Sequence, residues 1–267
     1  MAKWLLDNKS NEYDLNFVFA NTGAEHEKTL EFIDRCDNEW GLNLTWLETV
    51  VNPEKGKGST YKIVDYQSAS RKGEPFEAVC AVYGLSNPDF QPCNREMKTV
   101  PMDKYRRDYF GRDCQLAIGI RVDEIDRMNP RAKDQGIVYP LVSWHPTTKA
   151  EVRHWWADQP FDLEIPEHMG NCVTCWKKSN RKLYTIAKHE PHRFAFFKRM
   201  EDEYGLAGAQ SNNEKPRRWF RGYQSVNDII ARSKEPFVEF RDHVPELQFK
   251  LDLDESNGCE ESCDAFS

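Results

Sequence analysis

The segment that most constrains this chain is Leu15-Asn16-Phe17-Val18-Phe19-Ala20-Asn21-Thr22-Gly23-Ala24-Glu25-His26-Glu27-Lys28-Thr29-Leu30-Glu31-Phe32. Its apolar run predicts a buried strand over 15–20, its small polar residues a tight loop, and the residues from 27 onward a helix to about 40. Leu30, Ile33 and Cys36 share one face of that helix, and Gly41 stands where glycine commonly ends one. A second apolar run predicts the next strand over 44–50. Strand, helix and strand in this order make a βαβ unit, which demands a parallel pair with a helix laid over it. Open α/β sheets place ligands past the carboxyl ends of strands, where a helix N-terminus favours an anion. Asn21, Thr22, Gly23 and Glu25 occupy that position. The plain alternative is an ordinary strand-to-helix turn in which Gly23 supplies a positive φ.

Further helices are expected over 2–8, 74–83 (closed by Gly84), 95–110 (kinked near Pro101), 172–188, 192–204 and 226–233. Thr147 or Thr148 caps another that ends near 159. A third strand is expected over 115–121 and a fourth extended segment over 137–144, while 53–59 reads as a basic, glycine-rich loop. The organisation that follows is an α/β domain with the 21–25 loop at a strand end over 1–165, a helical region with Cys-x-x-Cys over 166–240, and an acidic tail with a second cysteine pair over 241–267.

With 39% hydrophobic residues and 12% aromatics, the 267-residue chain can build a real core. Its net charge of -7 gives no global attraction to nucleic acid, so such binding would need a local basic patch. No apolar run approaches the roughly 20 residues that span a bilayer. The first seven residues are too short and too polar for a signal peptide, so a cytoplasmic location is expected, with no membrane partner. Eight cysteines in that compartment argue for free thiols, metal ligands or redox chemistry rather than a disulfide framework.

Several clusters can carry chemistry. Cys93 lies where a helix N-terminus would lower a thiol pKa, which makes it a reactive thiol or a cluster ligand. Arg95 and Lys98, at i and i+3, share a helix side that would meet phosphate or sulfate oxygens, or is simply a solvated basic face. Arg121 leaves the carboxyl end of an expected strand, with Arg127 beyond. It serves as an anion-binding arginine, as a salt-bridge partner of Asp123 or Glu124, or as both together. Cys172 and Cys175 are spaced to reach one metal, with Cys259 and Cys263 as a second close pair. Together they suggest zinc or an iron–sulfur cluster, and a redox dithiol at 172/175 is the alternative. Cys36, Cys80 and Cys114 fall on apolar faces and read as core. Lys177, Lys178, Arg181 and Lys182, then Lys215, Arg217, Arg218 and Arg221 interleaved with Trp219, Phe220 and Tyr223, are a mixture able to bind nucleic acid. A solvated charged face is the plain reading of the same residues.

The order of these motifs resembles the phosphoadenosine phosphosulfate (PAPS) reductase family. In that family the Asn21-Thr22-Gly23 loop usually reads Asp-Thr-Gly. Cys93-Asn94-Arg95-Glu96-Met97-Lys98 resembles its Cys-Thr-Arg-Glu-Leu-Lys segment, and Gly119-Ile120-Arg121-Val122-Asp123-Glu124 its Gly-Ile-Arg stretch. The resemblance implies an α/β fold: a Rossmann-like, mostly parallel sheet with helices on both faces, of the adenine-nucleotide α-hydrolase type. It also implies an adenine nucleotide (ATP or PAPS-like) as ligand, a catalytic role for Cys93 and Arg121, and an electron- or sulfur-donor protein as partner. The family's Ser-Gly-Gly phosphate loop and the strand before it are absent ahead of the 21–25 loop. A start placed too late in the gene is the favoured account. The family's C-terminal Glu-Cys-Gly-x-His motif is also absent, and Cys259-Glu260-Glu261-Ser262-Cys263 stands near the end instead. The expectation is therefore reductive or sulfur-transfer chemistry other than literal sulfate assimilation. The alternatives are a metal-stapled nucleotide- or nucleic-acid-binding protein, or a remnant inactive for want of its phosphate loop.

Overall fold

Parallel pairing of β1 (Val18–Asn21) with β2 (Thr45–Val50) organises the N-terminal half, in a register from Val18 opposite Thr45 to Asn21 opposite Glu48. This is a computed structural model, and it describes residues 1–241 except 55, 89 and 209–214. Helix α1 (Ala2–Lys9) precedes the sheet, with Trp4 stacked on His145 at 5.1 Å. Helix α2 (Glu27–Trp40) crosses from β1 to β2 and buries Leu30 against Trp46 and Phe19. Gly41, at φ 62°, ends it by donating its N–H to Asp37 O at 2.8 Å, as a left-handed cap does.

β3 (Thr60–Val64) pairs antiparallel to β2 and completes a sheet in the order β1-β2-β3. The sequence did not announce it. Its side chains are mostly exposed, so an apolar alternation has no reason to be there. Helix α3 (Glu74–Tyr83) follows, with the bounds expected. Chain 92–110 is helical, as α4 (Pro92–Asn94), a π-turn (Arg95–Thr99) and α5 (Val100–Phe110). Pro101 has no N–H to return to the ladder, and the wide turn before it absorbs that break.

Two expectations of the sequence contract here. The strand over 115–121 is only β4 (Leu116–Ala117), paired in parallel with β5 (Ile137–Val138). The extended run over 137–144 stops because Pro140 opens a short helix, α6 (Pro140–Ser143), a position at which proline is favoured. Thr148, not Thr147, caps α7 (Lys149–Ala157), through a capping box with Glu151. The fold is thus mixed α/β. Among the described residues its parallel pairing is confined to β1/β2 and β4/β5.

The main core lies between α3 and three later helices: α8 (Asn180–His189), α9 (Ala195–Tyr204) and α10 (Val226–Arg232). The helix expected over 172–188 begins only at Asn180, where Ser179 accepts the N–H of Lys182. Residues 172–178 are successive turns, with Cys175 N–H on Cys172 O and Lys178 N–H on Cys175 O. Asn171, at φ 56°, turns the chain into them. Trp219 packs on Phe197 with ring centres 4.3 Å apart and on Phe76 at 5.4 Å.

One buried carboxylate ties this core together. Glu201 accepts the N–H of Trp219 at 2.7 Å and of Val226 at 2.9 Å, and burial pushes its carboxyl up. Replacing Glu201 by Ala strands both N–H groups in the core. The expected loss is about 2–4 kcal/mol of unfolding free energy in urea, with Glu201→Gln losing less because one acceptor oxygen remains.

Candidate functional site at the carboxyl edge of β1 and β2

Asn21 ends β1 fully buried, and both its amide protons are taken. Its Nδ2 donates to Glu48 Oε1 at 2.7 Å and to Ser70 O at 2.8 Å, and its Oδ1 accepts Gly23 N–H at 3.2 Å. Glu48 also accepts from the Ser70 N–H, from Ser70 Oγ at 2.9 Å and from Lys62 Nζ at 2.9 Å. Burial pushes the Glu48 carboxyl up. The Ser70 N–H, Lys62 and Asn21 together outweigh it and hold the group below its ordinary value. Asn21 therefore braces the loop from behind. An aspartate there would set a second carboxylate against Glu48.

Gly23, at φ 75°, lies so close to Gly73 that an added Cβ would stand 3.0 Å from Gly73 N. The loop thus rests on the residue that caps α3. Thr22 is buried and clamped by Glu25: its N–H donates to Oε2 at 3.1 Å and its hydroxyl to Oε1 at 2.7 Å. His26 begins α2, accepting Lys28 N–H on Nδ1 at 3.1 Å, and its Nε2 lies 3.0 Å from an Arg193 guanidinium nitrogen. Burial and then Arg193 lower its pKa.

Two distant segments arrive at the same edge. Thr49, near the end of β2, donates its hydroxyl to Glu96 O at 2.7 Å and so fastens the 93–96 segment there. The Glu96 carboxylate is fully buried between Ser59 Oγ and Arg95, the latter at 2.6 Å. Cys93 is half-buried, with its N–H on Ser86 Oγ at 3.1 Å. From the C-terminal half, Cys172 forms an antiparallel bridge with Glu25, and its Sγ lies 3.7 Å from Thr22 Oγ1. Ala24, Val51, Cys93 and Cys172 all pack on the main core.

Cations gather on the Cys172 side. Lys177, Lys178 and Lys182 are each more than nine-tenths buried. Lys178 Nζ donates to Gly170 O at 2.7 Å. Glu167 receives Lys149 at 2.9 Å, Arg153, and Lys182 at 3.6 Å. Burial alone would raise the Glu167 carboxyl, but Lys149, Lys182 and Arg153 hold it below its ordinary value.

The remaining expected site residues fall out differently. Arg121 pairs with Asp123 at 3.1 Å and Glu124 at 3.2 Å, and Arg127 with Glu124 at 2.7 Å. The salt bridge expected of Arg121 is present, with both Asp123 and Glu124. Arg95 is exposed apart from its contact with Glu96, and the π-turn rotates it away from Lys98 relative to α-helical spacing. Among the described residues no group of three His, Cys, Asp or Glu side chains converges to hold a metal ion. Cys172 and Cys175 supply two sulfurs, and Cys259 and Cys263 lie outside the described residues. Cys36 and Cys80 are core residues as expected, burial pushing the Cys36 thiol up to about 11, whereas Cys114 is only half-buried. Trp219 and Phe220 are buried in the core, so neither is a platform for stacking a base; of that aromatic set Tyr223 is exposed.

Sequence reasoning missed Glu48, Glu96 and Glu167, which hold the site's frame. A signal existed for Glu48: a lone carboxylate inside an otherwise apolar parallel strand must find buried donors.

No family model matches the chain, and no solved structure matches it. A curated protein does: it is 33% identical over 271 residues, covering 98% of this chain and 90% of its own, and is described as "Uncharacterized nin region protein ORF290" of Escherichia phage lambda.

Asn21→Asp tests the account of the loop. Two carboxylates sharing one buried site keep a proton in the folded state at a raised pKa, so the variant loses about 3 kcal/mol of stability at pH 7. The penalty is present above that raised pKa. It shrinks as pH falls toward about 4, where the unfolded carboxyls also take up protons. Denaturant melts of both proteins across that range read the difference.

Proposed function

The chain belongs to the family of the phage lambda nin region protein ORF290, and, on its own residues and fold, we propose that it is a PAPS reductase-like protein that binds an adenine nucleotide and carries out reductive or sulfur-transfer chemistry. The observation that carries the proposal is a convergence: the 21–25 loop, the Cys93 segment and the Cys172 segment meet at the carboxyl ends of two parallel strands. Ligands of open α/β sheets bind there. The fold in this reading is Rossmann-like, and β1-α2-β2 is its nucleotide-binding unit. The nucleotide lies over Thr22 and Gly23, near the N-termini of α2 and α3. In this reading Lys98 meets its anionic end, and Cys93 and Cys172 supply thiols. No described helix is long and apolar enough to cross a membrane. A cytoplasmic location belongs to the proposal, because thiol chemistry needs a reducing compartment.

A second reading, nucleotide binding without turnover, is favoured by the pairing of Arg121 with the adjacent Asp123 and Glu124 carboxylates. Calorimetric titration with ATP and with an adenosine phosphosulfate tests both. The wild type is expected to bind one nucleotide per chain. Gly23→Ala, which forces a Cβ against Gly73 at positive φ, weakens binding at least tenfold, about 1.4 kcal/mol, with its far-ultraviolet spectrum unchanged. Absence of binding by the wild type rejects the proposal. Binding with no product formed in the presence of a thiol reductant selects the second reading.

A further inference from the structure

We propose that His26 is an acid-sensitive latch joining the 21–25 loop to the start of α9, closed onto Arg193 while its ring is neutral and released when the ring takes a proton. Both ring nitrogens face donors. Nδ1 lies 3.1 Å from the backbone nitrogen of Lys28, and Nε2 lies 3.0 Å from an Arg193 guanidinium nitrogen. Neither a backbone N–H nor a guanidinium can accept. The neutral ring has one nitrogen lone pair to offer, so it serves the helix cap in one tautomer and Arg193 in the other. A protonated ring offers none and serves neither. It also sets a cation against Arg193 and against the positive end of a 14-residue helix.

Arg193 is held in place without His26. Its Nε donates to Glu190 Oε2 at 2.9 Å and its backbone N–H to Glu190 O at 3.0 Å. The charged groups that face the ring are Arg193 and Glu190, from the turn before α9 and the residue ahead of it, and Lys28 and Glu31 from α2. Around them, Lys28 leans to Glu164 at 3.6 Å, His192 to Glu190 at 3.9 Å, Glu27 is taken by Arg71, and Glu25 by Thr22. Burial and then Arg193 oppose the proton, Lys28 adds to them, and Glu190 and Glu31 pull the other way. The balance leaves the ring below its ordinary pKa. The contact therefore contributes fully above about pH 6.5, the ordinary histidine value, and is lost as pH falls through the lower value of the folded chain.

The same short stretch grips the loop at a second point, which does not titrate. A Cβ on Gly73 would run into the Phe196 ring, and Gly23 rests on Gly73. Arg193 thus holds the loop where it enters α2, and Phe196 backs it at Gly23. Acid frees the first hold and leaves the second. What loosens is the first turn of α2, where Thr29 N–H bonds His26 O at 2.8 Å. That turn adjoins Glu25, which clamps Thr22 and bridges to Cys172. The latch is thus a device for loosening one end of the candidate site while the core behind it stays packed.

The test uses the full chain without nucleotide, so its result stands whether or not a nucleotide binds. Ring-labelled histidine is followed by NMR as pH is lowered, and His26→Asn identifies the His26 signal among the seven histidines. His26 is expected to titrate below about pH 6.5. Arg193→Gln raises that midpoint by roughly half a unit or more, and Arg193→Lys, which keeps the charge, leaves it low. Hydrogen exchange then compares wild type with His26→Asn at equal pH, where the intrinsic pH dependence of exchange cancels. Asparagine caps a helix and does not titrate. Above the His26 midpoint the two chains are expected to exchange alike. Below it the wild type exchanges faster in peptides covering 25–29 and 190–194, and no faster in those of α3. A His26 midpoint at or above about 6.5, a ring that stays neutral until the chain unfolds, or a midpoint unmoved by Arg193→Gln overturns the proposal. Equal exchange of the two chains below the midpoint overturns it as well. Should His26→Asn fail to fold, His26→Gln takes its place.

Discussion

A carboxylate taken into a protein interior is costly unless every lone pair finds a donor. Glu48 sits inside β2 with no exposed surface, and the amide of Asn21, the N–H and hydroxyl of Ser70, and Lys62 answer it. The rest of the candidate site depends on that satisfaction. Glu48 fixes Asn21, whose Oδ1 fixes Gly23, which lies against Gly73 at the start of α3. The position of Thr22 follows, then that of Glu25, and through the Glu25 bridge that of Cys172. A charge buried in a strand of the sheet thus sets the position of a thiol 124 residues further along the chain, the separation of positions 48 and 172.

Carboxylates recur as fasteners elsewhere. Glu96 accepts Ser59 and Arg95 while its own carbonyl holds Thr49, so one residue joins β2, the loop before β3 and the Cys93 segment. Glu201 joins α9 to the turn that carries Trp219 and to the start of α10. Glu167 draws Lys149, Arg153 and Lys182 together across α7 and α8. Each brings parts of the chain distant in sequence into one place, which an apolar contact alone would do with less directional control.

The parts legible in the sequence were those with strong local period or chemistry. α2 carried an apolar face, α2 and α3 carried closing glycines, and β1 and β2 carried apolar runs. The 21–25 loop was placed correctly at a strand end. Illegible were the elements whose form depends on distant partners. β3 lacks an apolar pattern because its side chains stay exposed. The 172–178 turns read as helix because their composition permits one, whereas Asn171 at positive φ and the bridge from Cys172 to Glu25 hold the chain out of one at its start. Trp219 and Phe220 beside four basic residues suggested a nucleic-acid surface, since local composition cannot say which side of a segment faces the core. The roles of individual site residues divided likewise. Asn21 and Thr22 point inward because Glu48 and Glu25 are there to receive them, and nothing near position 21 in the sequence reports Glu48.

The central claim is that the 21–25 loop and the Cys172 segment form one ligand site. Hydrogen exchange read by mass spectrometry, with and without saturating ATP or an adenosine phosphosulfate, tests it most directly. Nucleotide is expected to slow exchange together in peptides covering 21–29 and 172–182, leaving those of α7 and α10 unchanged. Protection confined to one of the two segments, or appearing only around β4 and β5, would contradict it.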